Sequence, residues 1–268
     1  MAIDTTVTTF ADATRALLNR MRITLGSTAA SATNTDYAQG LINEANHDLH
    51  IQQNWPWAER RDVLLTHARY ATGVVSIAST ARTTLEGSGG LWNTAVSGMG
   101  FNNMRAGGKV TFGGDATEVY TVTAVASDTS ATLVTRYIGS QATATAYALA
   151  YGTYTYFEDE YALAADFWRL IDARTFSEDW ELPVVSRQEF YQAYARNSTP
   201  GTPRIATLIE LGPGASTAPR PRVLLHPPPN EVAQIPYRYV TTNLAVDSSG
   251  TGGANLEGGT DEPIIPLR

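Results

Sequence analysis

Apolar residues recur every three or four positions near the N-terminus and every second position through the middle of the chain, and the two periods predict different elements. Phe10, Ala13, Leu17, Met21 and Leu25 form one helical stripe. Thr9 and Asp12 are spaced as a capping box, and Gly26 lies where a C-cap would fall. After a Ser/Thr/Ala/Asn loop, Thr35 is placed to cap a second helix whose apolar side is Ala38, Leu41, Ile42, Ala45 and Leu49. Pro56 ends that helix by forcing Trp55 out of helical geometry. Both stripes are narrow, so the helices need each other and a third surface.

From Gly73 to Tyr151 the texture changes to Thr, Val, Ala, Gly and Tyr with few charges. "VVSIAS", "KVTFGG", "EVYTVTAVAS", "ATLVTRY" and "AYALAY" are strand-length and separated by turn residues, which predicts a small antiparallel barrel or sandwich. Helical spacing returns in "FEDEYALAADFWRLIDA", and Ser186 with Glu189 makes a second capping box ahead of "RQEFYQAYAR", which Pro200 stops. "PRVLLHPPPNEVAQIPYRYVTTNLAV" predicts two short strands around a triple-proline turn, and a Gly/Ser/Asp-rich tail runs from Asp247 to "EPIIPLR". The predicted class is α+β, an antiparallel helical bundle with an inserted small antiparallel β-barrel or sandwich. Residues 1–72 are the N-terminal part of the bundle and 73–151 the inserted β domain. Residues 152–240 are a helical and extended part completing the core domain, and 241–268 a flexible C-terminal arm, ordered on binding.

With 268 residues, 43% of them hydrophobic, the chain can bury a sizeable core. A formal net charge of −7 and a single lysine, Lys109, argue against a protein that wraps nucleic acid, because phosphate neutralisation needs clustered cations. Lack of cysteine excludes disulfides and thiolate metal sites. "MAIDTTVTTF" has neither a basic start nor an apolar core, and no run reaches membrane-span length, so the cytosol is the expected compartment, with no membrane partner.

Candidate chemistry is thin. "GGKVTFGG" lacks the Gly-Lys-Ser/Thr and following helix of a phosphate loop and reads as a hairpin. His47 and His50 in "HDLH" share a helical face, yet no third ligand is evident, and the pair reads as two surface histidines. Glu158, Asp159 and Glu160 are adjacent carboxylates, the pattern of a solvated edge. No nucleophile elbow or dinucleotide fingerprint occurs. The expectation is a protein that is no enzyme, with no catalytic, metal or cofactor site. Trp55 and Trp57, clamping Pro56, read as structural pegs between the second helix and the β insertion.

Taken in order, "LINEANHDLHIQQNWPWAERRDVLL", "AGGKVTFGGDATEVYTVTAVASDTSATLVTRYIG", "YALAADFWRLIDA" and "LLHPPPNEVAQIPYRYVTTNLAV…EPIIP" resemble head-to-tail adaptor proteins of tailed bacteriophages over nearly the whole chain. The resemblance implies a structural virion protein of the neck, assembled in the host cytoplasm. It would form a ring of about a dozen copies beneath the portal protein, join the portal to tail tube, nozzle or fibre proteins, and line the exit channel for double-stranded DNA without reading its sequence. A further helical segment often follows the position of "EPIIP" in such proteins, whereas this chain stops at Arg268. The portal-facing candidates are Leu244, Val246, Asp247, Pro263, Ile264, Ile265 and Pro266: polar residues that let an arm search, and an apolar end held stiff by proline. Two other functions fit parts of the chain: a fibre or baseplate attachment protein, and a carbohydrate-binding or hydrolytic domain using Trp55, Trp57, Trp92 and the Glu158–Glu160 run.

Overall fold

The computed structural model describes residues 9–20, 29–53, 55–113, 115–139, 147–175, 180–194, 199–209, 221–258 and 260–264. In chain order its elements begin with α1 (Phe10–Arg20), α2 (Ala29–Ile51), β1 (Glu59–Leu65), β2 (Val74–Ala78), β3 (Thr84–Ser88), β4 (Lys109–Phe112), β5 (Asp115–Ser127), β6 (Ser130–Leu133), β7 (Tyr147–Gly152) and β8 (Tyr154–Phe157). They continue with β9 (Glu160–Ala162), β10 (Phe167–Thr175), β11 (Trp180–Glu181), α3 (Arg187–Ala193), β12 (Ile205–Ile209), β13 (Arg222–His226), β14 (Gln234–Thr241), β15 (Ala245–Val246), β16 (Gly252–Gly253) and β17 (Glu262–Pro263).

The expected helical bundle is wrong. The fold is mostly β, 42% strand against 18% helix, with three α-helices among the described residues and a curled seven-stranded sheet. The clearest reason lies in "FEDEYALAADFWRLIDA", which forms β9 and β10 where helical spacing is expected. Phe157, Tyr161, Leu163 and Phe167 are buried while Ala162 between two of them is exposed, so the apolar spacing satisfies a period of two as well as a helical one. Partner strands decide it: β9 pairs antiparallel with β13, Tyr161 opposite Val223, and β13 pairs in turn with β12.

Two compact units divide the chain. One comprises Val63–Ala165 and Ala173–Pro236, the other Met1–Asp62, Asp166–Asp172 and Tyr237–Arg268. The first holds the seven-stranded sheet, in order β7-β2-β3-β6-β5-β4-β8. Its end strands, β7 and β8, are separated in the chain by Thr153 alone, so the sheet has to curl round to bring them together. Tyr70 pairs with the free side of β8 through two backbone bonds to Tyr156, of 2.9 and 2.7 Å. The β4–β5 hairpin turns at Gly113, whose φ of 64° suits glycine, as the sequence predicts for "GGKVTFGG". Alternate residues point inward to a core of Val75, Ile77, Leu85, Trp92, Val110, Val122, Leu133 and Tyr156 among others. Trp92 is fully buried, donates its indole N–H to the Tyr154 hydroxyl at 2.7 Å, and lies so close to Gly87 that a Cβ there would sit 2.6 Å from its ring. Tyr154 passes the chain on by donating to the Thr72 carbonyl at 2.6 Å.

In the second unit, α1 opens with the predicted capping box: Asp12 N–H donates to Thr9 Oγ1 at 3.3 Å, and Asp12 Oδ2 accepts from the Thr9 hydroxyl at 2.8 Å. α2 begins at Ala29, so Thr35 lies inside it and is not its cap. Its buried face carries Ala38, Asn46 and His50, while Ala45 from the predicted stripe is exposed. His50 is thus a core residue and only His47 lies at the surface; His50 Nδ1 is 2.7 Å from the Asn46 carbonyl oxygen, and Asn46 Nδ2 donates to the Leu244 carbonyl at 3.2 Å. Met21, Leu25 and Gly26 lie outside the described residues. Phe10, Ala245 and Leu256, backed by Ile42, make a small apolar cluster. Phe167, Tyr237 and Tyr239 form a ring stack, anchored where Tyr237 donates to Asp62 and Tyr239 to Asp166. Arg238 crosses to both Glu59 and Asp172.

Candidate functional site

The residues expected in the portal-facing arm are brought together by a three-stranded sheet in which β15 is the middle strand. Ala245 pairs with Gly253 and Pro263, Val246 with Gly252 and Glu262, and Ile264 N–H donates to the Leu244 carbonyl at 3.2 Å. Leu244 is buried, and Val246, Pro263 and Ile264 are half-buried. Asp247 is exposed and closes its own loop, Oδ1 accepting from Ser249 N–H, the Ser249 hydroxyl and Thr251 N–H. Those bonds hold its carboxyl below the usual range. Ile265 and Pro266 lie outside the described residues.

Trp55 and Trp57 stack on each other, ring centres 4.5 Å apart and planes 17° apart. The Trp55 indole N–H donates to the Leu49 carbonyl at 2.7 Å, satisfying an acceptor in the last turn of α2. Trp92 has no exposed face, which removes it from any sugar platform. After the tryptophans, β1 has an unusual pattern: Arg60, Arg61, Asp62 and Val63 are all exposed. Successive side chains of a strand point to opposite faces, so this stretch is open on both, and β1 ends the sheet order β1-β14-β10-β11. Tyr37 and Ile51 on α2, and Trp168 on β10, are large apolar side chains also left exposed.

Glu158, Asp159 and Glu160 are not the solvated edge that their run suggests. Glu158 is buried, takes the Arg105 side chain through bonds of 2.7, 3.0 and 2.5 Å, and accepts the Tyr156 hydroxyl proton at 2.6 Å. Burial first, then that carboxylate, pushes the Tyr156 phenol far above its ordinary value. Asp159 and Glu160 share the chain's single lysine, Lys109 Nζ lying 2.7 and 3.1 Å from them, and Arg222 stands 3.6 Å from Glu160. Burial raises the Asp159 carboxyl despite that lysine.

Asp159 and Glu160 border a cleft of about 320 Å³ between β4, β5, β9, β13 and α3. Lys109, Thr121 and Phe157 line one side, and Phe190, Tyr191, Tyr194 and His226 another. The three aromatic residues come from α3 and its C-terminal cap, and the Ser186–Glu189 cap fixes where that helix starts: Glu189 N–H donates to Ser186 Oγ at 3.2 Å, as the sequence predicts. Phe190 and Tyr194 pack on His226 at 6.0 and 5.0 Å, and burial lowers the histidine, keeping it neutral near pH 7. The signal that could have located this cleft is the fourfold aromatic spacing of "EFYQAY", read together with the carboxylates.

Among the described residues no group of three His, Asp or Glu side chains gathers in a form that could hold a metal ion, and no helix is long and apolar enough to cross a membrane. Comparisons of the chain with protein-family models, with curated proteins and with solved structures each find no match.

Proposed function

We propose that this protein is a head-to-tail adaptor of a tailed bacteriophage, a ring subunit that docks beneath the portal, joins it to the tail and leaves a channel for double-stranded DNA. The observation that carries the reading is β1, where four consecutive side chains, Arg60 to Val63, are exposed in one copy and the strand stands at the end of its sheet among the described residues. A strand so exposed is an association surface or a liability, and its mixed charges suit contact with a differently charged neighbour in a ring rather than with bulk apolar surface. Tyr37, Ile51 and Trp168 add apolar surface that neighbouring copies would bury. The ordered resemblance of the chain to such adaptors supports the same reading, and the net charge of −7 favours a lumen through which DNA slides.

Because the chain has no cysteine, one thiol can be placed without background. Arg60→Cys protein, assembled on portal-bearing heads and treated with a heterobifunctional cross-linker, should give a ladder of copies ending at a closed ring, together with adducts to the portal. Cross-linked monomers alone, or a product confined to fibres, would contradict the adaptor reading.

A further inference from the structure

We propose that the outer face of α2 in one copy of this chain docks on β1 of a second copy, so that two patches of opposite charge left open in a single chain close against each other. The inference rests on the adaptor reading for the ring that the copies build, and it names the surface on which β1 is received.

The helix supplies a face. Ala38, Asn46 and His50 turn inward. Asp36, Tyr37, Glu44, His47, Asp48 and Ile51 are all exposed, and at about 3.6 residues per turn they fall within about a third of the helix circumference. Tyr37 and Ile51, 61% and 45% exposed, lie about 20 Å apart along this stripe, with Glu44 and Asp48 between them. Large apolar side chains on one helix face, rimmed by charge, suit contact with protein better than the lining of an aqueous channel.

The charges select the occupant. Asp36, Glu44 and Asp48 form no ion pair among the described residues, so α2 presents three unmatched carboxylates. They repel DNA and call for a basic surface. Arg60 and Arg61 are the one place in the sequence where two basic residues adjoin, and both are exposed. Arg60 Nη1 donates to the Trp57 and Glu59 carbonyls, whereas Arg61 has no ion pair among the described residues. Val63, 46% exposed, lies on the same side of the strand as Arg61. A cation beside an apolar side chain on β1 thus matches Asp48 beside Ile51 on α2. Packing α2 on α2 would instead set carboxylates against carboxylates, so unlike patches meet head to tail, the arrangement that closes a ring.

The test uses single thiols, which the absence of native cysteine allows. His47→Cys and Val63→Cys place one on each patch and leave Glu44, Asp48 and Arg61 intact. Random collision of equal amounts gives as much mixed disulfide as both homodimers together. Free proteins oxidised together at low ionic strength should give the mixed disulfide severalfold above that level. Asp48→Lys in the first protein should remove the excess, and Arg61→Glu in the second should restore it. Near-ultraviolet circular dichroism checks that each variant is folded, and Glu44→Lys provides the same reversal if Asp48→Lys is not. A chain carrying both thiols should form a ladder that extends past the dimer. Mixed disulfide at the random level, an excess indifferent to charge reversal, no restoration by Arg61→Glu, or a ladder that stops at the dimer would overturn the proposal. None of these readouts involves the portal, so a failed adaptor reading, seen on heads, is distinguishable from a failed contact between α2 and β1.

Discussion

The unit built on the curled sheet and the unit built on α1 and α2 solve the problem of burial differently. In the sheet unit, inward residues of successive strands meet in one cluster with Trp92 at its centre, and even its buried charges come matched, Arg105 with Glu158 and Lys109 with Asp159. In the helical unit the apolar cluster among the described residues is small, and Asn46 and His50 take up part of the buried face of α2; large apolar side chains are exposed in both units, Tyr37, Ile51 and Trp168 here and Leu91, Val134 and Ile138 among those of the sheet unit. Buried polar atoms without partners occur in both units, Asn46 Oδ1 and His50 Nε2 in the helical one and Arg82 Nε and Arg222 Nε in the other, so it is the size of the apolar core that separates them. A unit that is finished inside one copy can be elaborated freely at its surface. One whose apolar cluster is small is suited to completion by neighbours.

The hardest blow to the sheet unit is Trp92→Ala, which empties a fully buried site and removes the donor to the Tyr154 hydroxyl, leaving that hydroxyl only its bond to the Thr72 carbonyl. It should cost about 3–5 kcal/mol in chemical denaturation. A loss below about 1 kcal/mol would mean that the core is not organised round this residue. Glu158→Gln comes next: it leaves Arg105 without its counterion, although the guanidinium is 40% exposed and water makes up part of the loss. We expect about 2 kcal/mol, below the range for wholly buried pairs, read from the same denaturation curves.

A smaller and reversible effect should follow alkaline pH. Burial, more than any other cause, pushes Tyr154 and Tyr120 each up to about 12. Both phenols are neutral in the fold, so their contribution is complete below the unfolded value of about 10 and is lost as pH rises through about 12. The thermal midpoint should hold level to pH about 10 and fall between there and about 12, and Tyr154→Phe should soften that fall. A decline beginning near neutrality would point to other groups. The smallest expected effect is Ser186→Ala, about 1 kcal/mol through the cap of α3, seen as faster hydrogen exchange in Phe190 and Tyr191 with little change in the sheet.

How far the sequence could be read differs between the same two units. Alternation and turn residues located β2, β4, β5, β6 and β7, because apolar and polar residues alternate in their sequence, even though in β2 and β4 the intervening Ser76 and Thr111 are buried as well. β3 escaped, since "TLEGS" buries only Leu85 deeply and reads as a turn. The helix caps at Thr9 and Ser186 were legible because their bonds are local, reciprocal between Thr9 and Asp12 and one-way from Glu189 N–H to Ser186 Oγ. Partners distant in sequence were not. Tyr161 opposite Val223 turned a helical spacing into a strand, and Asn46 bonding the Leu244 carbonyl brought a polar residue into the face of α2. The cleft was hidden for the same reason: Lys109, Asp159 and Tyr194 are far apart in the chain and meet only through sheet pairing. The expected arm residues Leu244 and Ile264 also depend on such pairing, through β15.

Hydrogen exchange measured by mass spectrometry, on the free protein and on the protein assembled onto portal-bearing heads, tests the comparison most directly. The account predicts that protection rises in α2 near Tyr37 and Ile51 and in β1 from Arg60 to Val63, while the strands round Trp92, already protected in the free chain, change little. Protection gained only in the curled sheet, with α2 and β1 unchanged on assembly, would contradict it.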